Sequence, residues 1–204
     1  MDNASKNVSE AVILDAARAI FTEKGMAAAR MQEIADRAGI NKALLHYYFR
    51  SKEKLFDRVF QEAFQQFWPK VEMHMNQPVD ARTVLRGMIG IYVDLFVERP
   101  YLPNFIISEI NRDPSRLEGL MRDVGVNPSL IANYLASQMQ AGVLVEMDPR
   151  ELILNVISLC VFPVAGRPLV SRFLWQNDQE AYQQFLINRK HTICEFIERS
   201  VFIK

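Results

Sequence analysis

Apolar residues return every three or four positions through most of the chain, and alternating period-two runs are almost absent, so the pattern predicts an all-α fold. The first predicted helix opens at Ser9, an N-cap whose neighbour Val8 can staple onto Ile13. It gathers Val12, Ile13, Ala16, Ala17, Ile20 and Phe21 on one face before Gly25 ends it. Two short helices follow, at about Met31 to Ala38 and Lys42 to Phe49, with Gly39 making the turn between them. From Lys52 a longer helix carries Leu55, Phe56, Val59, Phe60, Phe64 and Phe67, and Pro69 is expected to kink or end it near Trp68. Further helices are expected from Asp80, over 102–111, 115–124 and 128–140, from the Asp148-Pro149 pair to Phe162, and from about Asp178 to Phe202. The chain thus reads as a three-helix unit, residues 1–51, and a larger helical domain, residues 52–204, about nine helices in all. No disordered linker separates them, so a packed junction is expected.

Composition narrows the class. Half of the 204 residues are apolar, and 24 Lys and Arg balance 24 Asp and Glu. This excludes a disordered polyelectrolyte and a globally basic nucleic-acid binder, but not a local basic surface. Cys160 and Cys194 are far apart and belong to no CxxC or Cys/His cluster, so neither a disulfide scaffold nor a metal site is expected, and a reducing cytoplasm is the simplest compartment. Met1 to Glu10 is polar, without the apolar stretch of a signal peptide. The densest apolar run, Leu152 to Ala165, is interrupted by Asn155, Ser158 and Pro163 and falls short of the roughly 20 residues of a membrane span. No membrane association and no cofactor are expected. His46, His74 and His191 fall in different helices, and there is no HExxH, GxSxG or Gly-rich phosphate loop, so an enzyme is not expected.

The informative stretch is Met31 to Lys54, MQEIADRAGINKALLHYYFRSKEK. Ile34, Ala35, Ala38, Ile40 and Leu45 stand where a helix-turn-helix packs its two helices together; Ala35 must be small where they cross, and Gly39 suits the sharp turn. The second helix of such a unit lies in the major groove with its N-terminal residues, here Asn41, Lys42, Ala43 and Leu44, against base edges. Asn41 has two readings, helix N-cap and base reader. From Arg30 to Lys54 six basic residues (Arg30, Arg37, Lys42, Arg50, Lys52, Lys54) face three acidic ones (Glu33, Asp36, Glu53), a local excess of positive charge in a neutral chain. His46, Tyr47 and Tyr48 close the second helix; successive positions cannot all face DNA, so at least one Tyr is structural.

These residues resemble the TetR/AcrR-type one-component bacterial transcription regulators. The resemblance is carried by AARAIFTEKG (Ala16 to Gly25) and IADRAGINKALLHYYFRSKEKL (Ile34 to Leu55), the first quarter of the chain. It implies a DNA surface made of Arg30, Met31 and Gln32 at the start of the second helix, Asn41, Lys42, Ala43, Leu44, His46 and Tyr47 on the third, and Lys52 at the next helix start, where a helix N-terminus favours phosphate. Two positions depart from the family pattern: Arg30 stands where a capping Thr or Ser is usual, and His46-Tyr47-Tyr48 replaces the common Tyr-Tyr-His.

The same resemblance implies a small-molecule pocket in the larger domain and a four-helix bundle shared with a second subunit. Pocket candidates are Phe64, Phe67, Trp68, Tyr92, Phe96, Phe105, Tyr134 and Phe162, with Glu109 and Asn155 to orient an apolar or aromatic effector. For a homodimer, the final helix puts Tyr182, Phe185, Leu186, Ile193, Phe196 and Ile197 on one face, and Leu152 to Phe162, including Leu159, is apolar nearly all round. The long helix from Lys52 is the expected lever between effector and DNA. The function implied is a ligand-responsive regulator, a repressor by the resemblance, that binds palindromic double-stranded operator DNA; the alternative is a helical adaptor of the same fold that reads no DNA.

Overall fold

The computed structural model describes residues 2–203, with side-chain surroundings from residue 10 onward. Among these the chain is all-α, in eleven helices: α1 (Asp2–Ala28), α2 (Met31–Arg37), α3 (Lys42–Tyr48), α4 (Lys52–Met75), α5 (Ala81–Glu98), α6 (Leu102–Arg112), α7 (Pro114–Asp123), α8 (Pro128–Gln140), α9 (Pro149–Ala165), α10 (Arg167–Trp175) and α11 (Gln179–Val201). Three differences from the sequence pattern stand out. Helix α1 starts at Asp2 rather than at Ser9, and the Val8 and Ser9 side chains lie outside the described residues. Pro69 neither ends α4 nor marks its last turn; the helix runs on to Met75. Helix α10, opened by Pro168 in its first turn, was not expected.

The chain forms two compact units. One comprises residues 1–65 with 104–124; the other comprises 66–103 with 125–204. In the first, Ile13, Ala16, Ala17, Ile20 and Phe21 of α1 are buried as the pattern requires, while Val12 faces out. Gly25 holds φ 72° and ψ 166°, a conformation that breaks the helix and that a side chain would disfavour. The core continues as an aromatic chain: Phe21 on Phe56 (4.9 Å between centroids), Phe56 on Phe105 (3.8 Å), and Phe60 stacked on Phe64 (4.4 Å). Beside it two carboxylates are buried, Asp57 of α4 and Glu109 of α6. The Arg116 guanidinium pairs with both, and Arg112 reaches Glu109 at 3.1 Å. Burial pushes the Asp57 carboxyl above its ordinary range, against the pull of Arg116 and Lys54.

In the second unit α5 packs on α9 and α11. Each of these helices opens on an aspartate N-cap: Asp80 accepts from Thr83 N at 3.0 Å, Asp148 from Arg150 N at 2.9 Å and Asp178 from Ala181 N at 2.9 Å. Pro163 lies inside α9 and lacks the N–H that would bond the Leu159 carbonyl four residues back. Arg189 of α11 supplies it instead, donating to Leu159 O from Nε at 3.3 Å and Nη2 at 3.1 Å, while the Tyr182 hydroxyl donates to Pro163 O. At the far end of α11 the half-exposed Arg82 and Arg86 pin the buried Glu198 carboxylate, at 2.7 and 2.8 Å, and hold it below the usual carboxylate range. A Cβ at Gly87 would lie 1.8 Å from the His74 ring, so a side chain there would push that ring from its place 3.1 Å from the Thr83 carbonyl.

Candidate nucleic-acid interface

Helices α2 and α3 meet as the steric pattern demands: Ile34, Ala35 and Leu45 are fully buried, and Gly39 takes φ 67° at the turn. Asn41 is the N-cap of α3, its Oδ1 accepting from Leu44 N at 2.8 Å, so its side-chain oxygen is committed to the backbone. Leu45 is the one buried residue of α3; Lys42, Ala43, Leu44, His46 and Tyr47 are exposed, with Tyr47 70 % exposed. Tyr48 is half-buried and meets Tyr47 edge to face at 5.6 Å, which makes Tyr48 the packing partner of the pair. His46 Nδ1 lies 3.4 Å from the Arg50 carbonyl.

At the start of α2 the guanidinium of Arg30 offers no acceptor for a cap, since it carries only N–H donors. Only half of a capping box forms, with Glu33 Oε2 accepting from Arg30 N at 3.3 Å. Gln32 bonds Asp36 at 2.7 Å, and Met31 is half-buried. The charges of this surface sort into two groups. Lys24 is paired with Glu33 at 2.8 Å and Arg37 with Glu23 at 2.5 Å, whereas the exposed Arg30, Lys42 and Arg50 have no carboxylate within 4.0 Å among the described residues. Lys52 belongs to neither group. Its Nζ donates to the carbonyls of Ala27 and Ala29, both at 3.0 Å. The local excess of positive charge therefore resolves into three unneutralised cations around the protruding face of α3.

The residues expected to line one pocket fall in both units. Phe64, Phe105 and Glu109 lie in the first unit, in the aromatic chain and the ion cluster; Asn155 and Phe162 are exposed on α9. Trp68 is buried and bonds Glu72 at 2.7 Å, Phe96 is buried near Tyr92, and Tyr134 is half-buried. Tyr92 does line a cavity of about 30 Å³ in the second unit, with Phe67 packed edge-on to its ring at 4.8 Å. The remaining lining is Leu85, Met88, Ile131, Leu135, Leu152, Ile153, Val156 and Ile157, and burial pushes the Tyr92 hydroxyl up to about 12. These aliphatic residues are not among the expected pocket residues, because aromatic type does not mark the face that α5, α8 and α9 share. About 30 Å³ holds one or two water molecules, far below the hundreds of Å³ of a ligand-filled site.

The expected dimer face is likewise divided. Leu152, Tyr182, Leu186, Ile193 and Ile197 are buried within the chain itself, and Leu159 and Phe185 are half-buried, leaving Phe196 as the exposed member. The large apolar residues that do project from α9, α10 and α11 are Leu154, Phe162, Leu169, Phe173, Leu174, Ile187 and Phe196.

Among the described residues no group of His, Cys, Asp and Glu could hold a metal ion, and no single helix is long and apolar enough to cross a membrane.

A short helix projecting an exposed, cation-flanked face from a buried helix-turn-helix core defines a DNA-binding unit. Residues 13–59 match the family described as bacterial regulatory proteins, tetR family. The match covers the helix-turn-helix and its flanking helices, and over most of its length the chain is similar to transcriptional regulators that carry such a unit. It is 25 % identical to the HTH-type transcriptional regulator CymR of Pseudomonas putida, over 84 % of this chain and 82 % of that protein. It is 28 % identical to the HTH-type transcriptional repressor NicS of Pseudomonas putida, over 79 % of this chain and 78 % of the relative. The fold matches the transcriptional regulator FadR from Bacillus subtilis, solved in complex with stearoyl-CoA, with a TM-score of 0.65 at 19 % identity, over 91 % of this chain and 96 % of that one.

Proposed function

We propose that the protein is a repressor that binds a palindromic operator as a homodimer and is released by a small apolar effector. The observation that carries the reading is the protruding face of α3, where Lys42, Ala43, Leu44 and Tyr47 stand clear of the core with Arg30, Lys42 and Arg50 unneutralised around them. Cations without a protein partner suit phosphates, and a side chain 70 % exposed on a seven-residue helix suits a groove. The exposed apolar residues of α9, α10 and α11 support a second copy, which would cover them and set two reading heads roughly 34–36 Å apart, one turn of DNA. The repressor sign is supported by the name of NicS, and an apolar effector by the lining of the Tyr92 cavity and by the stearoyl-CoA of the FadR structure. The cavity would have to widen to admit such a molecule, so effector and DNA would favour different states and oppose each other reciprocally.

The test is selection of bound fragments from genomic DNA by the purified protein, with light scattering to count subunits. An inverted repeat bound by two copies is expected, and Lys42→Ala should weaken binding and reduce the salt slope by about 0.9 if Lys42 meets a phosphate. Sequence-blind binding, or none, would transfer the protein to the adaptor reading.

A further inference from the structure

We infer that Lys52 is a positioning residue of the DNA-reading head, which sets the elbow between α1 and α2 by holding the carbonyls of the turn after Gly25 instead of gripping a phosphate. This rests on the proposed function and deepens it. Lys52 is the first residue of α4, where a cation opposes the positive end of its own helix, so its presence there needs another reason. The reason lies in the single turn that follows the Gly25 break, Met26 to Ala29, which carries no basic residue of its own to meet its free carbonyls. The Lys52 ammonium supplies that charge from more than twenty residues along the chain, taking Ala27 O and Ala29 O at 3.0 Å each, so two of its three N–H donors are spent. Ser51 Oγ accepts from Lys54 N at 3.2 Å and fixes the first turn of α4 from which Lys52 reaches. Ala29 is buried and Arg30 follows it directly as the N-cap of α2, so the carbonyl that Lys52 holds is one peptide away from an unneutralised cation of the reading face. Whatever fixes Ala29 fixes where Arg30, Met31 and Gln32 point.

Two variants separate the roles: Lys52→Met removes the donor and the charge at similar length, and Lys52→Gln removes the charge but keeps an N–H donor. Binding to the selected inverted-repeat duplex is followed by fluorescence anisotropy across a salt series, and amide exchange is measured without DNA. K52M should bind roughly tenfold more weakly with a salt slope unchanged to within a few tenths, and K52Q should recover part of the loss. In K52M the amides of Ala29 and Ile34 should exchange faster, while those of Arg99 and Ala141 in the second unit stay as they were. A slope shallower by about 0.9 in both variants with unchanged exchange at Ala29 would make Lys52 a phosphate contact and overturn the inference. Faster exchange with undiminished affinity would overturn it as well. If the native protein binds no inverted repeat, the proposed function falls on its own; the exchange data then decide whether Lys52 restrains the elbow at all.

Discussion

In the first unit α4 and the 104–124 segment meet around Asp57, Glu109 and Arg116, ions withdrawn from water, whereas α5 in the second unit meets α9 beside the Tyr92 cavity through Leu85, Met88, Leu152 and Val156. A guanidinium shared by two carboxylates fits in one register, because a displaced partner leaves a buried charge alone. An apolar seam is non-directional, so side chains can slide or part around the Tyr92 cavity without stranding a charge. The difference places rigidity in the unit that presents α3 and compliance in the unit that holds the cavity, and four substitutions would break or sharpen it.

The largest effect is expected at Arg116→Ala. It takes the shared guanidinium from Asp57 and Glu109, leaving Glu109 to Arg112 and Asp57 to Lys54 at 3.9 Å, and the loss should be about 3 kcal/mol in urea unfolding, since removing one partner of a buried pair costs far more than the pair contributes. A loss under about 0.5 kcal/mol, the size of a surface-pair effect, would erase the contrast between the seams. The second unit should respond less to Arg189→Met, which leaves the Leu159 carbonyl without its donor: about 1–2 kcal/mol. With Pro163→Ala in the background, an N–H returns to that carbonyl and the cost of losing Arg189 should shrink; an equal cost in both backgrounds would show that Arg189 acts through packing on Phe185 alone.

The smallest effect concerns acid. The Arg150 side chain and N–H hold Asp148 at about 2 against an ordinary 3.8, so its contribution is present above 3.8 and is lost as the pH falls through about 2. Asp57 runs the other way: its folded value is raised by burial, so its share is present below the ordinary value and is lost as the pH rises through the folded one. Thermal unfolding between pH 4 and pH 2 should therefore fall less steeply for Asp148→Asn than for the native protein, and identical curves would count against the cap.

Much of the reading head was legible because its constraints are local and steric. Ala35 must be small, Gly39 must turn and Leu45 must be buried, and all three requirements sit within a dozen residues. Asn41 left two readings because a cap and a base reader use the same side chain, and only the 2.8 Å bond to Leu44 N separates them. The larger domain was less legible for a reason of symmetry. Periodicity tells which residues share a face, not what covers it, and the Tyr182, Leu186, Ile193 and Ile197 face proved to be the chain's own core. Helix α4 outlasts Pro69 because a single missing N–H in a 24-residue helix is a local cost that buried Trp68 and Val71 on either side offset. The Asp57 to Arg116 pair spans 59 positions, and in a one-dimensional pattern each member looks like an ordinary solvated charge.

Helix α3 hangs from the head by a single buried leucine, Leu45, with the Asn41 cap at one end and buried Phe49 at the other. Its outward positions thus carry almost none of the folding constraint, and they are free to vary. Under the proposed function, such a helix would drift toward new target sequences through substitutions at Lys42, Ala43, Leu44 and Tyr47 without passing through unfolded ancestors. In the laboratory, a combinatorial library at those four sites should yield mostly folded members, a ready cassette for retargeting the protein to operators of choice.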